Sequence, residues 1–347
     1  MRILAIESSC DETAASVLSA TKNGKPNILS NVISSQIAIH AQYGGVIPEV
    51  AAREHVLNII PVVAEALKLA KIKPQQLDAI AVTKGPGLIT SLISGMETAR
   101  TLAFAWNKPL LGLNHIEGHI YAAFLDLKKD LKFPAVVLTV SGGHTLIALM
   151  KEHGDLKIIG ETRDDAAGEA YDKGAKMLGL DYPGGPAVAK LASAYRATFL
   201  DTPKDTLGFP RPMMHSGDFD FSFSGLKTSL LYKLKADSNW QNKIDQYCYE
   251  YQEAILDLLV EKTLKAAKKY HAASIIASGG VSANNRLREK LIERAKKVTP
   301  DSQVFFPEMA YTTDNAAMIA AAAFFRISRG AKLKSWQKEK VELNLSL

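Results

Sequence analysis

Cysteine is almost missing from this chain: Cys10 and Cys248 are the only two in 347 residues. Two thiols cannot build the disulfide framework of a small secreted domain, and they fit a reducing compartment. A membrane-length apolar run is missing too. A long uncharged and largely apolar stretch, Phe133 to Met150, carries Ser141-Gly142-Gly143-His144-Thr145 at its centre. Those polar groups and that turn would be costly in lipid, so the stretch reads as strand, tight turn, strand. The opening Met1-Arg2-Ile3-Leu4-Ala5-Ile6-Glu7 meets charge before the apolar region of a signal peptide can form. Low-complexity tracts are absent, and 47% hydrophobic with 22% charged residues gives no sign of disorder or a fibre. The expectation is a cytoplasmic globular protein that does not enter the membrane.

The length predicts two lobes, since domains usually run about 100–200 residues. Net charge is +6 and unevenly placed. Residues 225–347 hold 20 Lys and Arg against 13 Asp and Glu, whereas residues 1–224 hold 22 against 23. Clusters such as Lys262, Lys265, Lys268, Lys269 and Arg286, Arg288, Lys290, Arg294, Lys296, Lys297 can attract a polyanion. Equally, they can be solvated helix faces balanced by Glu261, Glu289 and Glu293.

Ile3–Ile6 and Ala14–Leu18 read as a hairpin around a polar loop. Helical spacing of Val56, Ile59, Ile60, Val63, Ala64 and Leu67 predicts a helix over His55–Lys71. Strand Ala79–Val82, turn Gly85-Pro86-Gly87 and helix Leu88–Trp106 form an α/β unit. The plan restarts with Ala135–Val140 and Leu146–Met150, and ends with strand Ser274–Ala277, Gly279-Gly280 and a helix over residues 283–297. Two related α/β lobes are expected, divided near residues 108–134, an arrangement that often holds a nucleotide.

His115-Ile116-Glu117-Gly118-His119 is the sharpest local signal. Two histidines four apart on a helix share a face and can bind one metal ion. Glu117 falls about 200° round the helix from His115, so the spacing is not that of a zinc protease. The pair can also be two surface histidines on a loop. Asp314, in Thr312-Thr313-Asp314-Asn315, is the best third ligand, or simply the N-cap of the helix Ala316–Phe325. Ser141-Gly142-Gly143, Gly184-Gly185-Pro186 and Gly279-Gly280 follow apolar strands, and glycine lets backbone amides approach phosphate or ribose oxygens. Asp11-Glu12, Asp164-Asp165 and Asp172 are the acidic candidates for proton transfer, ribose binding or metal contact. Asp164-Asp165 can instead cap the helix Ala166–Leu178. Lys84 can meet an anion. Cys10 has no paired histidine nearby in sequence and reads poorly as a nucleophile.

Together the motifs resemble one family: TsaD, also called Gcp or YgjD, the tRNA N6-adenosine threonylcarbamoyltransferases. The matching stretches begin with Ile6-Glu7-Ser8-Ser9-Cys10-Asp11-Glu12-Thr13 and His40 to His55 with Tyr43-Gly44-Gly45-Val46-Ile47-Pro48-Glu49. Gly85-Pro86-Gly87-Leu88, His115 to His119 and Val140-Ser141-Gly142-Gly143-His144-Thr145 follow. Then come Asp164 to Lys173, Leu180 to Pro186, Phe221 to Thr228, Gly279 to Asn284 and Thr313-Asp314-Asn315. Phe209-Pro210-Arg211-Pro212 and Phe221-Ser222-Phe223-Ser224-Gly225 are similar to the bacterial branch. Gly174 departs from it, standing where threonine is common, and the stretch from Lys334 onward keeps only Trp336 of the family's ending.

The resemblance implies an actin/sugar-kinase/Hsp70-like (ASKHA) α/β architecture, with two RNase H-like lobes around a nucleotide cleft. It divides the chain into an N-terminal lobe (1–110), a connecting helical segment with the histidines (111–133), a C-terminal lobe (134–315) and a C-terminal helix and tail (316–347) returning to the first lobe. It makes His115, His119 and Asp314 metal ligands, for iron or alternatively zinc. Thr139, Val140, Ser141, Gly142, Gly143, Asp172, Gly185 and Asn284 become substrate-binding positions, and Asp11 a residue of the reaction and candidate base. The implied partners are tRNA, threonylcarbamoyl-AMP and the proteins TsaB and TsaE. Rival readings are a metal-dependent endopeptidase, which is the family's older description, an ASKHA-type kinase or ATPase, and a nucleotide-binding scaffold.

Overall fold

The strand expected at Ile3–Ile6 is β1 (Arg2–Glu7), buried along its length after Arg2. An apolar run of this kind is what a central strand covered on both faces requires. The structure, a computed structural model, describes every residue except 21–23, 126, 128, 199–206 and 334. The first element of the tail, Lys334, thus lies outside the described residues.

β1 pairs antiparallel with β2 (Glu12–Ser19), which pairs antiparallel with β3 (Asn27–Ser35). On the other side β1 runs parallel to β4 (Ala79–Gly85), and β4 parallel to β5 (Leu110–Asn114), giving the order β3-β2-β1-β4-β5. The helices threaded through this part are α1 (Ile37–Ala41), α2 (Pro48–Ala70), α3 (Ile89–Ala105) and α4 (His115–Ala122). The helix expected from His55 begins seven residues earlier, at Pro48. A proline at the first helical position loses nothing, because that N–H has no partner inside the helix.

The second sheet repeats the plan. Strand β6 (Ala135–Val140) pairs antiparallel with β7 (Thr145–Glu152), which pairs with β8 (Asp155–Glu161). Parallel to β6 lies β9 (Ser274–Ser278), followed by β10 (Gln303–Phe305), so the order is β10-β9-β6-β7-β8. Its helices are α5 (Ala167–Met177), α6 (Gly184–Thr198), α7 (Ser224–Ala236), α8 (Ile244–Lys269) and α9 (Asn285–Val298). Tyr247, Tyr251, Ile255, Leu258 and Leu259 of α8 are buried among Val136, Leu138 and Ile147 of the sheet. Gly174 on α5 lets this packing close: a Cβ there would stand 2.6 Å from the Tyr251 ring, whose hydroxyl donates to the Ala170 carbonyl at 2.8 Å.

The chain then enters α10 (Ala316–Ser328), whose residues Ala316 to Phe324 are all buried. A helix apolar all round needs cover on every side, and α10 finds it against β1, β2 and α4. Two compact units result: Met1–Asp130 with Pro307–Leu347, and Leu131–Phe306. The expected divisions at 110, 133 and 315 differ from this partition. The histidine segment groups with the first unit because β5 pairs with β4 and α4 packs on α10. Among the described residues no helix is long and apolar enough to cross a membrane.

Candidate metal centre

Helix α4 starts at His115 because Asn114 caps it, its side-chain oxygen accepting from the backbone N–H groups of Ile116 and Glu117. The same amide donates to the carbonyls of Leu345 and Ser346 at 3.2 and 3.1 Å. Gly118 faces α10, where a Cβ would sit 2.7 Å from Ile319. This close approach brings the residues just before α10 up to the histidines. Asn315, not Asp314, is the N-cap of α10, accepting from the Met318 N–H at 3.0 Å. The capping alternative for Asp314 is therefore corrected, and its carboxylate is left facing α4.

There Asp314 Oδ1 lies 3.1 Å from His119 Nε2 and 3.6 Å from His115 Nε2. The two rings stand nearly perpendicular, with centroids 4.6 Å apart. One ligand atom from each of the three residues falls within 4.8 Å of the others. Both histidines are buried, His119 completely, so the surface-loop alternative does not hold. Neither ring nitrogen of His119 makes a hydrogen bond. A buried polar group without one costs about 1–3 kcal/mol, and a cation among the three side chains would satisfy Nε2. Two imidazoles and a carboxylate suit a divalent transition metal such as zinc or non-haem iron. The residues present fit a divalent metal.

Around these three lies a ring of residues, Glu7, Ser9 and Thr83, to which the sequence pattern assigns no role. Glu7, fully buried at the end of β1, accepts from the Ser9 N–H at 2.6 Å and from the Thr83 hydroxyl. Its Oε2 is 3.3 Å from His115 Nδ1, and Ser9 Oγ is 3.1 Å from the same nitrogen. Burial works against a charged imidazole at His115, but Asp314 and Glu7 together raise it to about 9. For Glu7, burial raises the carboxyl, while His115 and Ser9 bring it net below the ordinary value. The signal available in sequence was a lone carboxylate ending an apolar strand.

Glu117 points away, as its helical position requires, and its carboxylate is held by the Arg326 guanidinium. An ion-paired glutamate on the far face is no base for hydrolysis at the histidines. Asp11 is buried at the mouth of β2. His55 steadies this loop, its Nε2 lying 2.9 Å from the Cys10 carbonyl and its Nδ1 2.8 Å from the Thr13 hydroxyl. Burial holds the His55 imidazole below its ordinary value, which favours the neutral ring. Burial, then Asp11 and Asp314, push the Cys10 thiol well up, so it stays protonated and unfit as a nucleophile. Lys84 is not an open anion site, since it pairs with Glu342 at 2.6 Å.

The other expected positions belong to the second unit. Thr139 and Ser278 hydroxyls meet at 3.2 Å, and the turn Ser141–His144 is closed by Ser141 N–H donating to the His144 carbonyl at 2.8 Å. Gly142 and Gly143 have no atom within 4 Å of where a Cβ would lie. Gly168, at the start of α5, comes so close that a Cβ would stand 2.5 Å from the Ser141 carbonyl oxygen. Asp172 accepts from the Gly184 N–H at 2.7 Å, and Gly185 beside it is open. Asn284 caps α9, accepting from Leu287 N–H, and donates to Gln252 at 2.8 Å. The turn Gly280–Ala283 before it touches both α5 and β6.

Asp164-Asp165 does not cap α5. Asp164 instead accepts from the Phe223 and Ser224 N–H groups and both flanking hydroxyls at the start of α7, and Asp165 pairs with Lys173. The basic clusters also divide. Lys262 is buried on Ser216 and Asp218, Arg286 and Lys290 pair with Glu253, and Arg294 with Glu261. Lys296 and Lys297 are exposed.

Fold and site together define a class: an α/β chain of ASKHA type, carrying among the described residues two five-stranded sheets of like order and a His–His–Asp centre with both histidines buried. HypF from T. kodakarensis has a similar fold, with a TM-score of 0.63 at 15% identity over 94% of this chain and 48% of that one. The chain belongs to the TsaD family, tRNA N6-adenosine threonylcarbamoyltransferase, whose family model matches residues 27–321. A relative of that name from Kosmotoga olearia is 49% identical over 330 residues, covering 95% of this chain and 94% of the relative. Another, from Listeria monocytogenes serotype 4b (strain CLIP80459), is 49% identical over 333 residues, covering 95% and 92%. Enzymes of that name are acyltransferases.

Proposed function

We propose that this chain transfers the threonylcarbamoyl group of threonylcarbamoyl-AMP to N6 of adenosine 37 in tRNAs reading codons that begin with adenine. The observation that carries the reading is identity of 49% to a threonylcarbamoyltransferase over 95% of the chain. In the reaction the N6 amine attacks the carbamoyl carbon, the bond to the phosphate oxygen breaks, AMP leaves, and the amine loses one proton. Asp11 accepts that proton in this reading; its place at the mouth of β2, in a loop held by His55, supports a fixed carboxylate. Backbone amides of Gly142 and Gly143, beside Ser141, hold phosphate, and open space above Gly142, Gly143 and Gly185 supports their closeness to a ligand. Asp172 binds ribose hydroxyls, while Thr139, Val140 and Asn284 shape the adenylate site.

His115, His119 and Asp314 hold a divalent ion, iron before zinc, and that ion supplies Lewis-acid polarisation and charge neutralisation when bound. The protein works in the cytoplasm with TsaB and TsaE as partners. The ion-paired Glu117 disfavours the endopeptidase reading, because no carboxylate base adjoins the histidines on their own helix face.

The deciding experiment follows labelled threonylcarbamoyl from the adenylate to tRNA, with TsaB and TsaE supplied. Transfer by wild type and its loss in His115→Ala is the expected result. Full transfer by His115→Ala would remove the metal from the reaction, and no transfer by wild type would remove the function. Asp11→Asn that still binds the adenylate should lose most of its transfer rate; near-normal transfer would end the base role.

A further inference from the structure

The fully buried Glu7 carboxylate sits where three elements meet: the loop after β1, strand β4 and helix α4. Each supplies it with a donor or a potential one. The Ser9 N–H donates to Oε1 at 2.6 Å, the Thr83 hydroxyl donates to Oε2, and His115 Nδ1 lies 3.3 Å from Oε2. None of these groups touches solvent appreciably, so the arrangement has no water to replace a lost partner.

We propose that Glu7 is the positioning residue of the metal centre, holding the His115 ring with its proton on Nδ1 so that Nε2 is free for a cation. The inference rests on the metal reading of His115, His119 and Asp314 given above. The two nitrogens of an imidazole are exchanged by tautomerism, and the hydrogen bond made by one decides which of them can ligate. An ionised carboxylate only accepts, so Nδ1 facing Glu7 must carry the proton. Once the ring is neutral, Nε2, the nitrogen turned toward Asp314 and His119, carries a lone pair. Outer carboxylates of this kind also raise the basicity of the ligating nitrogen. Ser9 Oγ, 3.1 Å from Nδ1, shares that proton but does not fix it, because a hydroxyl donates as readily as it accepts.

Glu7→Gln is a sharp test for this reason. The Ser9 N–H demands an acceptor at the Oε1 position, so the new NH2 group falls at the Oε2 position and faces His115. It donates to Nδ1, drives the ring proton onto Nε2, and blocks the ligating nitrogen, with little change of shape.

The experiment titrates Zn2+ into the full chain against a competing chelator and records the visible absorption of the Co2+ form. A urea midpoint of each metal-free variant reads folding separately. Wild type binds one ion, and Glu7→Gln binds about 10–100-fold more weakly with an altered Co2+ spectrum. Ser9→Ala shifts affinity by less than Glu7→Gln does. A wild type that binds no ion removes the metal reading itself. Wild type that binds, beside a folded Glu7→Gln within twofold of it, overturns the positioning role. Greater loss in Ser9→Ala than in Glu7→Gln also overturns it, in favour of the hydroxyl. Should Glu7→Gln not fold, the histidine 15N shifts of the Zn2+-loaded wild type decide instead. A His115 protonated at Nδ1 and bound through Nε2 is expected, and the reverse assignment sinks the idea.

Discussion

The two sheets have one plan and two kinds of contents. In each, a central strand pairs antiparallel with the next strand in sequence and parallel with a later one. At the end of β1 the chain buries a carboxylate, and helix α4 brings His115 beside it and His119 next to that ring. At the equivalent end of β6 it makes a turn of Ser141, Gly142 and Gly143 with open space above both glycines. The lesson is that this strand arrangement fixes where a site can be, while the residues at the strand end decide its chemistry. One end presents side-chain ligands shielded from water, the other presents backbone amides.

The comparison breaks most visibly at the ligands. His119→Ala should remove metal retention by more than the about 10–100-fold expected for loss of an outer partner, and elemental analysis after dialysis would show it. Asp164→Asn in the second unit should leave metal content unchanged. A smaller effect separates the two glycine contacts. Gly168→Ala drives a methyl into the fixed Ser141 carbonyl and should destabilise by about 1–3 kcal/mol. Gly118→Ala meets the tip of Ile319 and the flexible Met318 side chain rather than backbone and should cost less. Urea midpoints of both variants rank them, and the opposite order would show that α10 is less yielding than the Ser141 turn.

Acid should weaken the second unit through Asp164. Partial burial opposes its charge, but Ser222, the Phe223 N–H and Ser224 hold its carboxyl below the ordinary 3.8. A depressed folded value means that its stabilisation is complete above the unfolded value and disappears as pH falls through the folded one. The stability gap between wild type and Asp164→Asn should be constant from pH 7 to 5 and close below about pH 4. A gap unchanged at pH 3 would count against it. The smallest effect concerns tRNA: replacing Lys296 and Lys297 by alanine should reduce the salt slope of binding by about 1–2. An unchanged slope would place the RNA surface elsewhere.

Much of this was legible because it is periodic or local. The strands β1, β6 and β9 are short apolar runs bounded by glycine or polar residues, and α4 announces itself by histidines four apart. What was not legible depends on the partner across the fold. Asp164 stands directly before α5, yet its carboxylate serves the start of α7, because the isolated bridge between Thr162 and Phe221 brings the two segments together. Lys262 belongs to a basic cluster by sequence and to the buried interior by packing. Glu7 reads as the last residue of a strand, and only the arrival of β4 and α4 adds Thr83 and His115 to its local partner Ser9. Asp314 could be read as the cap of the following helix until the Asn315–Met318 bond fixed the helix start one residue later.

The close fit of Gly174 against Tyr251 carries a consequence for which residue pairs these two positions can hold. With a methyl at position 174 already 2.6 Å from the ring, a threonine there and a tyrosine at 251 exclude each other unless α5 and α8 separate. The two positions are therefore coupled by packing. Gly174→Thr should be tolerated here only together with a smaller residue at position 251, and urea midpoints of the single and double variants would show it.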